Sequence, residues 1–210
     1  MSSRKLWVTS DPHFGHRQCI VGWRGYGDSL DPKTSDPDLV AKAVKEHDDF
    51  LISRWNDTVP GKHDVIWVLG DLSLNADHGV ECIKKCHGLK HLVLGNHDHG
   101  DMRRYIDAFN KIKSVYRVRK FTLSHIPLHL SALGGHQEFG MINLHGHRHV
   151  FDGLPASPPG PYYNVNTELH DFRPIRVDEI MELPFIKRML QEREEAFANG
   201  TQHDPIGGSI

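Results

Sequence analysis

The 210-residue chain reads as an α/β protein whose first half builds a parallel sheet. Three observations carry that reading. Short, continuous apolar runs at 5–9 (KLWVT), 65–70 (VIWVLG) and 91–95 (HLVLG) have the character of strands buried on both faces. Segments with helical spacing of apolar residues lie between them, which is the alternation of βαβ units. Polar clusters follow the last apolar residue of one run after another, where open α/β sheets gather their ligands.

The first run ends in SDPHFGH, so Asp11, His13 and His16 fall at its carboxyl end, with Pro12 and Gly15 shaping the loop. Residues 17–35, rich in Gly and Asp, read as loop with little regular structure. Asp36 and Pro37 make an N-cap and first-turn pair. Leu39, Val40, Ala43, Val44, His47, Phe50 and Leu51 then predict a helix over 37–56. The second run ends in Gly70-Asp71, before a short helix over 78–87 closed by Gly88. The third ends in Asn96-His97-Asp98, before a helix over 101–110. Residues 111–120 (KIKSVYRVRK) alternate like a half-exposed strand. Lys111, Lys113, Arg117 and Arg119 take one face; Ile112, Tyr116 and Val118 take the other.

FTLSHIP is a strand that stops at Pro127 with His125 at its end. MINLHGHRH is another, in which His145, His147 and His149 hold alternate positions and would emerge on one face. Residues 152–161 are loop, YYNVNTEL is a strand, and FRPIRVDEI leads through a turn. The final helix, 184–198, carries Phe185, Ile186, Met189, Leu190 and Phe197 on one side and ends at Gly200. Residues 201–210 read as a loose tail. The second half thus reads as the more antiparallel one. With no repeat and no linker, a single domain over 1–200 is expected.

Composition narrows the partners. Apolar content of 38% is enough for a packed core, and a net charge of −2 gives no global attraction to nucleic acid or an acidic membrane. No apolar run is long enough to span a bilayer, and no apolar leader opens the chain. Cys19, Cys82 and Cys86 read as free thiols of a reducing cytosol, so a cytoplasmic location is expected. The basic face at 111–119 reads as solvated, with nucleic-acid contact as the alternative. The final helix packs on the sheet or pairs with a second copy, so the chain is expected to be a monomer or homodimer.

Five strand ends offer donors: Asp11 and His13; Asp71; Asn96 and His97; His125; His147 and His149. Carboxylate, imidazole and carboxamide without thiolate suit Mn, Fe, Zn, Mg or Ni. They are too many for one tetrahedral zinc. They suffice for two ions that share a bridging carboxylate and a bridging water, a clamp suited to in-line displacement at phosphorus.

DPHFGH, GDLS, GNHD, a lone SH and GHRH, in that order, resemble the signature of the calcineurin-like metallophosphoesterases. The resemblance runs over 6–182, and the ending NVNTEL with FRPIRVDEI is similar to small bacterial and phage-type members. It implies an αββα sandwich, two mixed sheets flanked by helices. It also implies that Asp11, His13 and His149 hold one ion, that Asn96, His125 and His147 hold the other, and that Asp71 bridges. His97 would not be a ligand but would lie near the phosphate and protonate the leaving oxygen. Asp98 would orient His97 through a carboxylate–imidazole hydrogen bond. Asn96, His97 and His16 are the expected substrate contacts.

The implied reaction is hydrolysis of a phosphodiester bond in a small nucleotide-like substrate, cyclic nucleotides included, by attack of a bridging hydroxide. Two divalent ions, manganese foremost, are the implied cofactors; a nuclease or a phosphomonoesterase is the alternative. GDLSLNADH lacks an Arg soon after Asp71, and GNHD stands where phosphoprotein phosphatases carry GNHE, which turns the reading away from phosphoproteins. His145 flanks the ligands as a further candidate contact. Arg148, between two of them, should point away. His99 reads as surface, and His63, His91 and His170 as surface or internally satisfied.

Overall fold

The computed structural model describes residues 4–133, 141–150 and 153–198. The three apolar runs form parallel strands β1 (Leu6–Thr9), β2 (Val65–Val68) and β3 (Leu89–Val93). β4 (Lys111–Lys113) adds parallel to β3, and β9 (Ile175–Arg176) adds antiparallel to β1, giving the order β4-β3-β2-β1-β9. The pleat sorts the side chains. Trp7, Ile66, Val68 and Leu92 face the helices and pack with Leu51, Trp55, Val80 and Ile83. Val8, Trp67, Leu69 and Val93 face a second sheet and pack with Phe121, Leu123, Ile142 and Leu144. Covering on both sides explains why these strands carry no polar alternation.

Helix α1 (Pro37–Thr58) starts as expected: the Asp36 carboxylate accepts the Asp38 N–H, and Pro37 opens the first turn. Its inner face is Val40, Ala43, Val44, His47, Asp48, Leu51 and Trp55, while Leu39 is exposed. Asn75 caps α2 (Ala76–Lys84) through the N–H groups of Asp77 and His78. α3 (Arg103–Ile106) is shorter than its sequence suggests. Residues 17–35 are not all irregular: Gln18–Trp23 wind a π-helical turn that sets Ile20 and Val21 against Val40, Ala43 and Val44.

The second sheet has the order β5 (Tyr116–Val118), β6 (Phe121–Leu123), β7 (Ile142–His145), β8 (Tyr162–Asn164). Only β5–β6 is antiparallel; β6–β7 and β7–β8 are parallel. The expected antiparallel half is therefore corrected. The segments joining these strands are long enough for crossover connections rather than hairpins. After β9, α4 (Val177–Glu182) and α5 (Pro184–Ala198) bury Val177, Ile180 and Ile186, with Met189 and Leu190 beside them, against the inter-sheet core. The Phe197 side chain, Gly200 and the expected tail at 201–210 lie outside the described residues.

The stretch 111–120 is not one strand. Ile112 packs on the helix side, whereas Tyr116 and Val118 join the inter-sheet core, Tyr116 stacking on Trp67 at 4.3 Å. Ser114 and Val115 carry the chain from one sheet to the other. The four basic residues accordingly share no face: Lys111 and Lys113 edge the first sheet, Arg117 the second, and Arg119 sits in a turn paired with Asp178. Two mixed sheets flanked by helices match the architecture the resemblance implies. No helix among the described residues is long and apolar enough to cross a membrane.

Candidate metal centre

The loops after β1 and β2 lie side by side, joined by Asp11 N–H to Gly70 O at 3.1 Å and His13 N–H to Asp71 O at 3.1 Å. Asp11, His13, Asp71 and His147 all take left-handed backbone conformations, with φ of 56°, 51°, 54° and 68°. Such residues persist only where the surroundings force them, and they concentrate at functional sites. Two motif glycines are there for space. A Cβ on Gly95 would fall 2.3 Å from Asp71 Oδ1, and one on Gly146 would fall 2.1 Å from Asp11 Oδ2.

The histidine stripe is not an extended segment. β7 ends at His145, and Gly146 with left-handed His147 turns the chain. His145 is fully buried, its Nδ1 2.8 Å from Gly146 O and its Nε2 3.0 Å from Ser157 Oγ. It does not reach the site, which corrects its candidacy as a substrate contact. The bend places His147 and His149 in different donor sets.

Those sets are Asp11, His13 and His149, and Asp71, His125 and His147, each with ligand atoms within 4.8 Å of one another. Asn96 Oδ1 joins the second at 2.9 Å from His125 Nε2. Asp71 Oδ2 lies between the sets, 3.4 Å from His125 Nε2 and 3.7 Å from His13 Nε2. Tautomers give the test of fit. Leu69 O, 2.8 Å from His125 Nδ1, can only accept, so Nδ1 carries a hydrogen and Nε2 is the nitrogen turned inward, free to bind an ion once its proton is displaced. Glu168 Oε1 does the same for His149, 2.8 Å from its Nδ1. Ring nitrogens thus converge: His13 Nε2 on His149 Nε2 at 3.2 Å, and His125 Nε2 on His147 Nδ1 at 3.2 Å. Two donor sets of carboxylate and borderline imidazole, with Asp71 between them, suit two divalent ions.

The electrostatics agree. Burial pushes the Asp11 carboxyl up to about 6, even with His125 and His149 pulling it back. Burial acts on Asp71 too, but the His125 hydrogen bond and charge, the His97 N–H and His13 outweigh it and hold Asp71 down to about 2. Burial likewise opposes charge on His125, yet Asp71 and Asp11 lift it to about 9. Buried carboxylates here demand positive charge, which a protonated imidazole supplies in the metal-free chain.

Floor and rim differ. Asp11, His13, Asp71, His125 and His149 are buried, while Asn96 and His147 are exposed and the His97 side chain is 36% exposed. His16 Nδ1 lies 3.1 Å from His13 Nδ1, and its ring is 6.0 Å from that of His97. Burial, with His97 and Arg24 nearby, pushes His16 down to about 4, so it is neutral near pH 7. Trp23, 47% exposed, stands edge-on to His16 at 5.8 Å. Arg148 turns away, its guanidinium donating to Pro155 O, and His99 is exposed, both as expected. His63 is exposed, while His91 and His170 are engaged with the carbonyls of Lys90 and Asn164.

Asp98 departs from expectation. Its carboxylate accepts the backbone N–H groups of Asp71, Leu72 and Gly95 at 2.8–2.9 Å and makes no bond to the His97 ring. Three converging N–H groups hold a buried carboxylate more securely than one ring nitrogen does, so Asp98 ties the loops after β2 and β3 together.

Sequence reasoning missed Glu168 and Arg24. The Arg24 side chain is 3% exposed and donates to Glu168 Oε1, Pro12 O and Asp11 O at 2.8–2.9 Å. Glu168 in turn orients His149, and its side chain is also 3% exposed. A signal existed, since Asn166, Thr167 and Glu168 form one more polar cluster just after a strand.

Comparison with known proteins agrees with this geometry. Gene 66 protein of Mycobacterium phage L5 is 29% identical over 178 residues, 68% of this chain and 76% of its own length. Uncharacterized protein MJ1445 of Methanocaldococcus jannaschii is 30% identical over 189 residues, 87% of this chain and 93% of its own. A solved structure, the protein of unknown function AQ665 from Aquifex aeolicus, shares the fold with a TM-score of 0.58 at 19% identity, over 86% of this chain and 100% of that one. The family model for the calcineurin-like phosphoesterases matches residues 4–201. With that match spanning both sheets and all five donor-bearing strand ends, the chain belongs to the calcineurin-like phosphoesterase family, whose members are metal-dependent hydrolases of phosphoric esters.

Proposed function

We propose that the chain is a phosphodiesterase of small nucleotide-like esters, with Asp11, His13, Asp71 and His149 holding one divalent ion and Asp71, Asn96, His125 and His147 the other. The observation that carries it is the Asp71 carboxylate, within 3.4–3.7 Å of an imidazole nitrogen of each donor set. Bound there, two divalent ions, manganese foremost, would supply an acidified water and neutralise charge on the phosphoryl oxygens. His97, half-buried at the rim with Nε2 3.8 Å from Asp71 Oδ2, protonates the leaving oxygen. Asp98 supports this by fixing the loop from which His97 and Asn96 project, and Asn96 and His16 face the ester.

Charge favours a diester. A monoester dianion needs extra cations. The arginines neighbouring the motifs are engaged elsewhere: Arg17 with Pro32 O, Arg24 with Glu168 and two carbonyls, Arg148 with Pro155 O. The exposed Trp23 ring beside His16 offers a flat surface on which a base can stack. A nuclease loses its support with the separation of Lys111 and Lys113 from Arg117 and Arg119.

The Mn-loaded protein should hydrolyse bis-p-nitrophenyl phosphate and nucleotide diesters faster than p-nitrophenyl phosphate. The reverse order would make it a monoesterase. His97→Ala should slow turnover by about 10²–10⁴-fold with both ions retained, whereas Asp71→Asn should lose turnover and metal together. Metal loss from His97→Ala would overturn its assignment as a proton donor.

A further inference from the structure

We propose a third metal site, separate from the dinuclear centre, in which Asp48, His78 and Cys82 bind one zinc-like divalent ion at the junction of α1 and α2. His78 and Cys82 are four residues apart on α2 and so share a face. Asp48 meets them from the inner face of α1. Asp48 Oδ2 to His78 Nε2 is 2.7 Å, His78 Nε2 to Cys82 Sγ 3.6 Å, and Asp48 Oδ2 to Cys82 Sγ 4.0 Å. Tetrahedral zinc, with bonds of about 2.0 Å to N or O and 2.3 Å to S, sets its ligand atoms about 3.3–3.5 Å apart. Adjustments of about half an ångström, within the reach of side-chain rotation, would close the site.

The chemistry is balanced. The ion would displace the Cys82 thiol proton, and His78 would bind as neutral imidazole. One thiolate and one carboxylate would then neutralise a divalent charge in a place where Asp48 and Cys82 are 3% exposed. The His78 side chain is 40% exposed, which leaves an entry path and a fourth position for water. A mixed N, O and S set selects Zn or Co over the Mn or Mg suited to the oxygen- and nitrogen-only centre. Placement gives the site a purpose. Asp48 Oδ1 accepts the Gly15 N–H at 3.1 Å, and the His78 ring lies where a Gly15 side chain would otherwise go. An ion here would brace the loop that carries Asp11 and His13 against both helices.

The test is Co(II) titration of the metal-free full chain, because only a thiolate ligand gives a sulfur-to-cobalt charge-transfer band and the dinuclear centre has none. The band should appear with a third bound equivalent. Cys82→Ser should abolish the band and leave two equivalents, whose retention also shows that the variant is folded. His78→Ala should weaken the band at least tenfold in cobalt concentration. Cys19→Ser, which removes the thiol near His13 and His16, should leave it intact. No band in the wild type, or a band lost with Cys19→Ser and kept with Cys82→Ser, would overturn the proposal.

Discussion

At the scale of single residues, the motifs announced the donors but not their supports. Asp11, His13, Asp71, Asn96, His125, His147 and His149 stand out as residue types that chemistry needs at strand ends, and the structure brings all of them together. Glu168 and Arg24 did not stand out, because a carboxylate that serves a ligand looks like any surface acid until the fold buries it. Glu168 is held charged there: burial would raise its carboxyl, but the His149 hydrogen bond and the Arg24 charge outweigh that and lower it. Glu168→Gln should weaken binding of the ion proposed for Asp11, His13 and His149 by about 10–100-fold. The other ion should be little changed, which isothermal titration of the two binding steps would resolve. Equal weakening of both would show that Glu168 acts on the fold and not on His149.

At the scale of elements, legibility depended on whether the pattern that defines an element also reports its ends. α1 was read almost to the residue, because Asp36, Pro37 and the apolar spacing each mark it independently. The alternation through 111–120 was real, yet it continued across Ser114 and Val115, where the chain changes sheets; a period of two carries no information about which sheet a strand joins. The histidine stripe failed in the same way, since alternation in sequence implies one face only while the backbone stays extended. Asp98 shows an element-scale role that a motif letter cannot convey, joining the loops after β2 and β3 through three backbone N–H groups. Asp98→Asn sets an amide N–H against one of those donors and should lower stability by about 1–3 kcal/mol. Urea unfolding of the metal-free protein would measure this. A variant that kept full stability and only shifted the pH–rate profile would restore the ring-orienting role.

At the scale of the molecule, the parallel sheet was legible because burial on both faces leaves continuous apolar runs, whereas the second sheet's short strands left its direction to the connections. Its many histidines give the chain a global property. Burial lowers His47, His91 and His170 below their ordinary 6.5. A folded pKa below the unfolded one means that the unfolded chain takes up protons first. The associated stability is therefore present above pH 6.5 and lost as pH falls below it. His91, packed on Trp67 with Lys111 nearby, isolates the effect from the metal centre. His91→Gln should narrow the drop in thermal midpoint between pH 7 and pH 5 in the metal-free protein; an unchanged drop would remove His91 from the account.

The left-handed backbone at Asp11, His13, Asp71 and His147 has a consequence for how this protein can be improved. Each such residue costs about 1–3 kcal/mol that glycine would relieve. Glycine at any of the four would relax the scaffold and delete a donor in one step. Selection of variants for heat resistance alone should therefore drift toward a sturdier, inert chain. Selection in excess metal would run the other way, because there the bound ions themselves supply the stability that the strained loops give up.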